Sequence, residues 1–119
     1  MILCVPVTVA GAVDPRWGHA ERVVVASVGG SGIESWQEFA VGWGSLHDSG
    51  GEGEHHARIA VFLREHKVEA VVAGHMGPPM QHMLSKMAIQ VYLGASGEAK
   101  ETTLRTISEI SGRTDARRS

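Results

Sequence analysis

The stretch EAVVAGHMGPPMQHMLSKMAIQVYLG, residues 69–94, decides the fold. Glu69 to Gly74 is a short apolar run rich in alanine and valine, which reads as a buried strand. HMGPP then breaks the chain, and a proline pair suits the first turn of a helix. Met80, Met83, Leu84 and Met87 recur at helical spacing, and QVYLG reads as a second strand. Two strands joined through a helix lie parallel, with a right-handed crossover.

Working towards the N-terminus, Ile59, Phe62, Leu63 and His66 fall at i, i+3, i+4 and i+7, the stripe of an amphipathic helix within EHHARIAVFLREHK. RVVVASV (22–28) and IESWQEFAV (33–41) flank the glycine-rich GGSG, a β-hairpin signal. Ile2 to Val9 is apolar and β-branched, a central strand with an irregularity at Pro6. Towards the C-terminus, Leu104, Ile107 and Ile110 mark a last helix ending near Gly112. Residues 113–119 carry no apolar anchor and are expected to form a disordered tail. The order β-β-β-α-β-α-β-α makes one α/β domain over residues 1–112. Placing strands 1 and 4 side by side gives a mixed five-stranded sheet in the order 3-2-1-4-5, strand 2 antiparallel, flanked by three helices.

Composition narrows the function. A formal charge of −2 argues against nucleic acid, which needs a concentrated basic face. The single cysteine, Cys4, lies in the apolar run MILCVPV and is expected to be a packed core thiol. It excludes an intramolecular disulfide and an iron–sulfur site ligated by several cysteines of this chain. No apolar run approaches the roughly 18 residues of a membrane span, and the N-terminus lacks a signal-peptide pattern. The expected location is cytoplasmic.

Ligands of open α/β sheets favour the crevice outside the carboxyl ends of the strands where chain direction switches. Four segments converge there, namely residues 10–20, 47–56, GHMGPP and GASGE. They hold His19, His47, His55, His56 and His75, and imidazole is a common ligand for transition metals. The plain alternative is that polar loops tolerate histidine. His55 and His56 flank an apolar stripe and lean towards the protein body. His66 is expected to be a half-buried helix histidine, and His82 lies off its stripe. A second reading rests on Gly53 and Gly77, which precede helices whose free N–H groups attract anions, although no phosphate-loop or dinucleotide fingerprint is present. The methionines at helical spacing read as core or groove lining. Trp17 and Trp43 bracket the crevice and suit packing.

Three segments carry a family resemblance: ILCVPV, VDPRWGHAERVVVASV and EAVVAGHMGPPMQHMLSKMAIQVYLGASG. Together they resemble the dinitrogenase iron–molybdenum cofactor biosynthesis family over roughly residues 1–112. VVAGHMGPPM is similar to that family's GGxGP turn. The resemblance implies a ribonuclease H-like fold and a role in binding or carrying iron–sulfur and iron–molybdenum clusters, sometimes through histidine. It is compatible with a homodimer or with transient cluster donors and acceptors. Where the family commonly has HFG after the first strand, this chain has Arg16-Trp17-Gly18. His19 follows directly, and Arg16 suits an anionic cluster or a phosphate.

Two functions therefore stand open. One is a non-catalytic carrier for a transition-metal ion or metal cluster, through His19, His47, His55, His56 and His75, with Arg16, Trp17, Gly53 and Gly77 contributing. The other is a small-molecule or phosphate module using glycine-rich helix starts. An enzyme is not expected. Two-metal phosphoryl chemistry needs several convergent carboxylates, and Asp14, Asp48 and Asp115 are scattered over loops and tail.

Overall fold

The computed structural model describes residues 1–46 and 51–118, with side chains for these apart from 52 and 110–118. In chain order the elements are β1 (Ile2–Val7), a 3₁₀ turn (Trp17–His19), β2 (Arg22–Gly29), β3 (Gly32–Ala40), α1 (Trp43–Leu46), α2 (Glu52–Glu65), β4 (Ala70–Val72), α3 (Pro78–Lys86), β5 (Gln90–Tyr92) and α4 (Ala99–Arg118). The sheet order is β3-β2-β1-β4-β5, as the sequence predicts. β2 runs antiparallel to both its neighbours, while β1, β4 and β5 are mutually parallel. Two short elements add to the predicted set, the 3₁₀ turn and α1. The last helix continues past Gly112, where the sequence places its end, to Arg118.

Strand alternation divides the core between two faces. Cys4 of β1, Val23 of β2 and Val71 of β4 face the layer built by α1, α2 and α3. There they meet Trp17, Trp43, Ile59, Leu63, Met80 and Leu84, all buried. Val5, Val7, Val24 and Val72 point to the opposite face, which α4 covers through Ala99. Burying each of the larger aliphatic side chains stabilises the fold by about 1.5–3 kcal/mol. The inward stripe of α4 is polar by comparison: Thr102, Thr103 and Thr106 are buried. Thr103 and Thr106 donate to the carbonyls of Ala99 and Thr102, four residues back, at 2.8 and 2.9 Å.

Helices α2 and α3 feed β4 and β5 through the same device. After α2, Lys67 N–H donates to Arg64 O and Val68 N–H to Leu63 O. After α3, Ala88 N–H donates to Ser85 O and Ile89 N–H to Leu84 O. These are paired Schellman closures, and the turning residue must be left-handed. It is not glycine in either case: Lys67 has φ 55° and Ala88 φ 59°. His66 closes α2 by donating from Nδ1 to Phe62 O at 2.9 Å, and it packs against Phe39 and Phe62 as the predicted half-buried histidine.

Candidate functional site

The loops at the carboxyl ends of β1, β4 and β5 are drawn together by backbone contacts. Val13 N–H donates to Gly97 O, and Gly94 N–H donates to Gly74 O. Arg16 pairs with His75 in a short parallel bridge, so the loops after β1 and β4 run side by side. Gly74 is the point of closest approach. A Cβ there would sit 3.1 Å from Ala95 O and 3.2 Å from Pro15 Cα, so only glycine lets these loops meet without displacement.

Beside this junction Asp14 is buried, and its Oδ1 accepts the Arg16 backbone N–H at 3.0 Å. That local turn sends the chain into the 3₁₀ turn and leaves the Arg16 side chain 68% exposed, with Nε 3.5 Å from Asp14 Oδ1. Trp17 drops into the core, 5.1 Å edge-to-face from Trp43. Gly44 of α1 presses on the same turn, and a Cβ there would collide with the His19 carbonyl.

A cavity of about 500 Å³ opens between these loops and the starts of α2 and α3. Among the residues singled out from sequence, Arg16, Trp17, His19, His55, His56, His75 and Gly77 line it. Gly53 is exposed on the first turn of α2 and does not line it. His47 lies outside the described residues. Met76 and Met80, read as groove lining, supply a buried apolar wall.

The four histidines are not equivalent. His55 is 4% exposed, and its Nε2 lies 2.7 Å from Gly18 O. A carbonyl only accepts, so Nε2 carries the hydrogen and donates. Nδ1 lies 3.4 Å from Arg58 Nη1, and a guanidinium only donates, so Nδ1 accepts. Both ring nitrogens thereby have a protein group within reach. Through Nε2, His55 fastens the start of α2 to the 3₁₀ turn, and its side chain also lines the cavity. His19 and His56 have ring centroids 6.5 and 6.4 Å from that of His55. His75 is exposed at the rim.

This donor set decides what the cavity suits. Among the described residues, no three His, Cys, Asp or Glu side chains are grouped to hold a metal ion. Cys4 is fully buried in β1, and burial pushes its thiol far above the ordinary range, so it is not a thiolate ligand. Beneath the cavity, Trp17 Nε1 is buried with no hydrogen-bond partner among the described residues. Such a group costs about 1–3 kcal/mol when left unpaired.

The start of α3 is a poor anion cradle. Gly77 is the N-cap of α3, but Pro78 and Pro79 follow it and have no N–H. Gln81 N–H already donates to Gly77 O, and the Gln81 side chain donates to Met76 O at 2.8 Å. The proline pair that marks the helix start in the sequence therefore removes the amides that an anion would use.

The family model for dinitrogenase iron-molybdenum cofactor proteins matches residues 1–109. The chain belongs to that family. Solved structures share its fold at low sequence identity. A protein designated PH0822 superposes with a TM-score of 0.74 at 16% identity, covering 92% of this chain and 92% of that one. The apo form of the orange protein from Desulfovibrio gigas gives 0.72 at 22% identity, covering 91% of this chain and 88% of that one. No curated protein matches the chain. No helix among the described residues is long and apolar enough to cross a membrane.

What sequence reasoning missed at this site are the residues that shape it without facing it. Asp14, Gly74 and Arg58 each act through a neighbour. The DPR turn was legible as an aspartate accepting from a backbone two residues on. The Arg58 contact is an i, i+3 pair on α2, legible as helical spacing, whereas the Gly74 contacts have no local signature.

Proposed function

We propose that this member of the dinitrogenase iron-molybdenum cofactor family is a non-catalytic binding or carrier domain. Its cargo is a preassembled, anionic metal–sulfur cluster of iron–sulfur or iron–molybdenum type. The observation that carries this reading is the composition of the cavity wall. It combines a guanidinium (Arg16), imidazoles (His19, His56, His75), the Trp17 indole and two thioethers, with no carboxylate or thiolate among the described lining residues. A cluster that brings its own sulfide ligands needs hydrogen-bond donors, one or two terminal ligands and an apolar wall, rather than full coordination by the protein. Arg16 supplies a charge-assisted contact. His75 and His19 offer ring nitrogens from the loops after β4 and β1. His55 holds those loops in place. Phosphate binding through helix amides, the other reading of the sequence, receives less support because of the proline pair on α3.

The test is retention of tetrathiomolybdate, a small anionic metal sulfide, after anaerobic incubation and gel filtration. Wild type should elute with molybdenum and its visible absorbance. Arg16→Ala/His75→Ala, which alters two exposed side chains, should retain at least about tenfold less, the loss of one or two charge-assisted bonds. Equal retention by both proteins, or none by either, would overturn the proposal. Displacement by millimolar phosphate with no dependence on Arg16 or His75 would favour the anion module instead.

A further inference from the structure

A second cavity, of about 360 Å³, lies on the α4 side of the sheet, between the loop after β5 and the helix. It shares none of its lining residues with the cargo cavity. Its wall explains an oddity of α4, whose buried stripe carries threonines where α2 and α3 carry Ile59, Leu63 and Leu84. Thr102 donates its hydroxyl hydrogen to Ser96 O at 2.8 Å, and Thr106 donates to Thr102 O at 2.9 Å. Both residues line the cavity, and with their hydrogens committed their hydroxyl oxygens can serve a ligand only as acceptors. Tyr92 is in the same position, since its hydroxyl donates to Gln90 Oε1 at 2.5 Å.

Two full charges flank the threonines on the same helix. Arg105 and Glu109 lie one helical turn apart, and both line the cavity. Neither belongs to any ion pair among the described residues, where the only pairs join Arg16 to Asp14 and Arg22 to Glu38. On the opposite wall, the Ser96 backbone N–H makes no hydrogen bond to the protein among the described residues, although Gly94 and Ala95 in the same loop do. The cavity therefore presents a cation and a free N–H on one side of its chemistry. A carboxylate and three acceptor oxygens make up the other.

From this arrangement we infer that the cavity is a binding site for a small zwitterion of the α-amino acid type. The ligand carboxylate pairs with the Arg105 guanidinium and the Ser96 N–H. The ligand ammonium pairs with Glu109 and the threonine oxygens. An ammonium has three hydrogens to donate and nothing to accept, which matches hydroxyls whose own hydrogens are already spent. A simple oxyanion fits less well, because Glu109 would repel it and the hydroxyl oxygens would offer it no donor.

The experiment is amide chemical-shift titration of the whole chain with L-alanine, acetate and methylammonium. At about 10 mM, roughly tenfold above the affinity expected of a few charge-assisted bonds, L-alanine should shift the Ser96, Gly97 and Thr102 amides. Acetate and methylammonium should each bind at least about tenfold more weakly than L-alanine. Arg105→Gln and Glu109→Gln, both exposed positions, should each abolish the L-alanine response while leaving tetrathiomolybdate retention unchanged. The inference is overturned if L-alanine causes no shift, if its shifts survive Arg105→Gln, or if acetate binds as well as L-alanine.

Discussion

In a His55→Ala protein the Gly18 carbonyl loses its 2.7 Å hydrogen bond to Nε2, and Arg58 loses the Nδ1 acceptor. The hydrogen bond contributes about 0.5–1.5 kcal/mol net, and the part-buried Gly18 carbonyl left without its protein partner adds to the loss. The ring is only 4% exposed, so emptying its site costs roughly another 1 kcal/mol of buried surface and packing. The sum is about 2–3 kcal/mol. For a 119-residue domain the unfolding entropy is about 0.25 kcal/mol/K, so the midpoint should fall by roughly 8–12 °C. The assay is thermal and urea unfolding of the metal-free protein, where no ligand contributes. Tautomer-resolved ¹⁵N NMR should also show a protonated Nε2 and an unprotonated Nδ1 in wild type. An apo protein whose stability changes by less than about 0.5 kcal/mol, yet which loses tetrathiomolybdate retention, would refute the reasoning. His55 would then be a ligand and not a fastening.

The left-handed closures after α2 and α3 offer a gain. Lys67→Gly and Ala88→Gly should each stabilise the fold by roughly 0.5–1 kcal/mol, the left-handed strain relieved less the added freedom of the unfolded chain. Urea midpoints would show this, and a loss of stability in both variants would contradict the closure geometry. Cys4 gives a pH dependence. Its thiol is held protonated by burial, whereas the unfolded thiol ionises near pH 9. The unfolded state therefore binds fewer protons than the folded state above that pH. Stability should fall by about 1.4 kcal/mol per pH unit beyond it. In Cys4→Ala that component of the slope should vanish, and native Cys4 should resist thiol reagents. An identical alkaline slope in both proteins would count against it.

Much of the architecture is legible in the sequence because it follows from short-range periodicity. Alternation in RVVVASV, the helical stripe through Ile59 and Leu63, and the βαβ unit over residues 69–94 each need only a few adjacent residues. Handedness and the pairing of apolar strands then leave few sheet orders. The convergence of His19, His55, His56 and His75 on one crevice follows from topology in the same way, because all four lie on segments at one end of the sheet.

The sequence by itself determined the five strands and three long helices, the order 3-2-1-4-5, and the end of the sheet that gathers the histidines. Only the tertiary structure decided what those side chains do. His55 and Gly18 stand 37 residues apart, and nothing local to either signals the bond between them. Glycine at 74 matters because Pro15 and Ala95 arrive from two other loops. The left-handed Lys67 and Ala88 depart from the glycine that propensity expects at such positions, because Leu63 with Val68 and Leu84 with Ile89 secure both turns through the core. The physical reason is common to all of these. Periodicity places a residue on a face, whereas its partners are set by which distant backbone packing brings within about 3 Å of it.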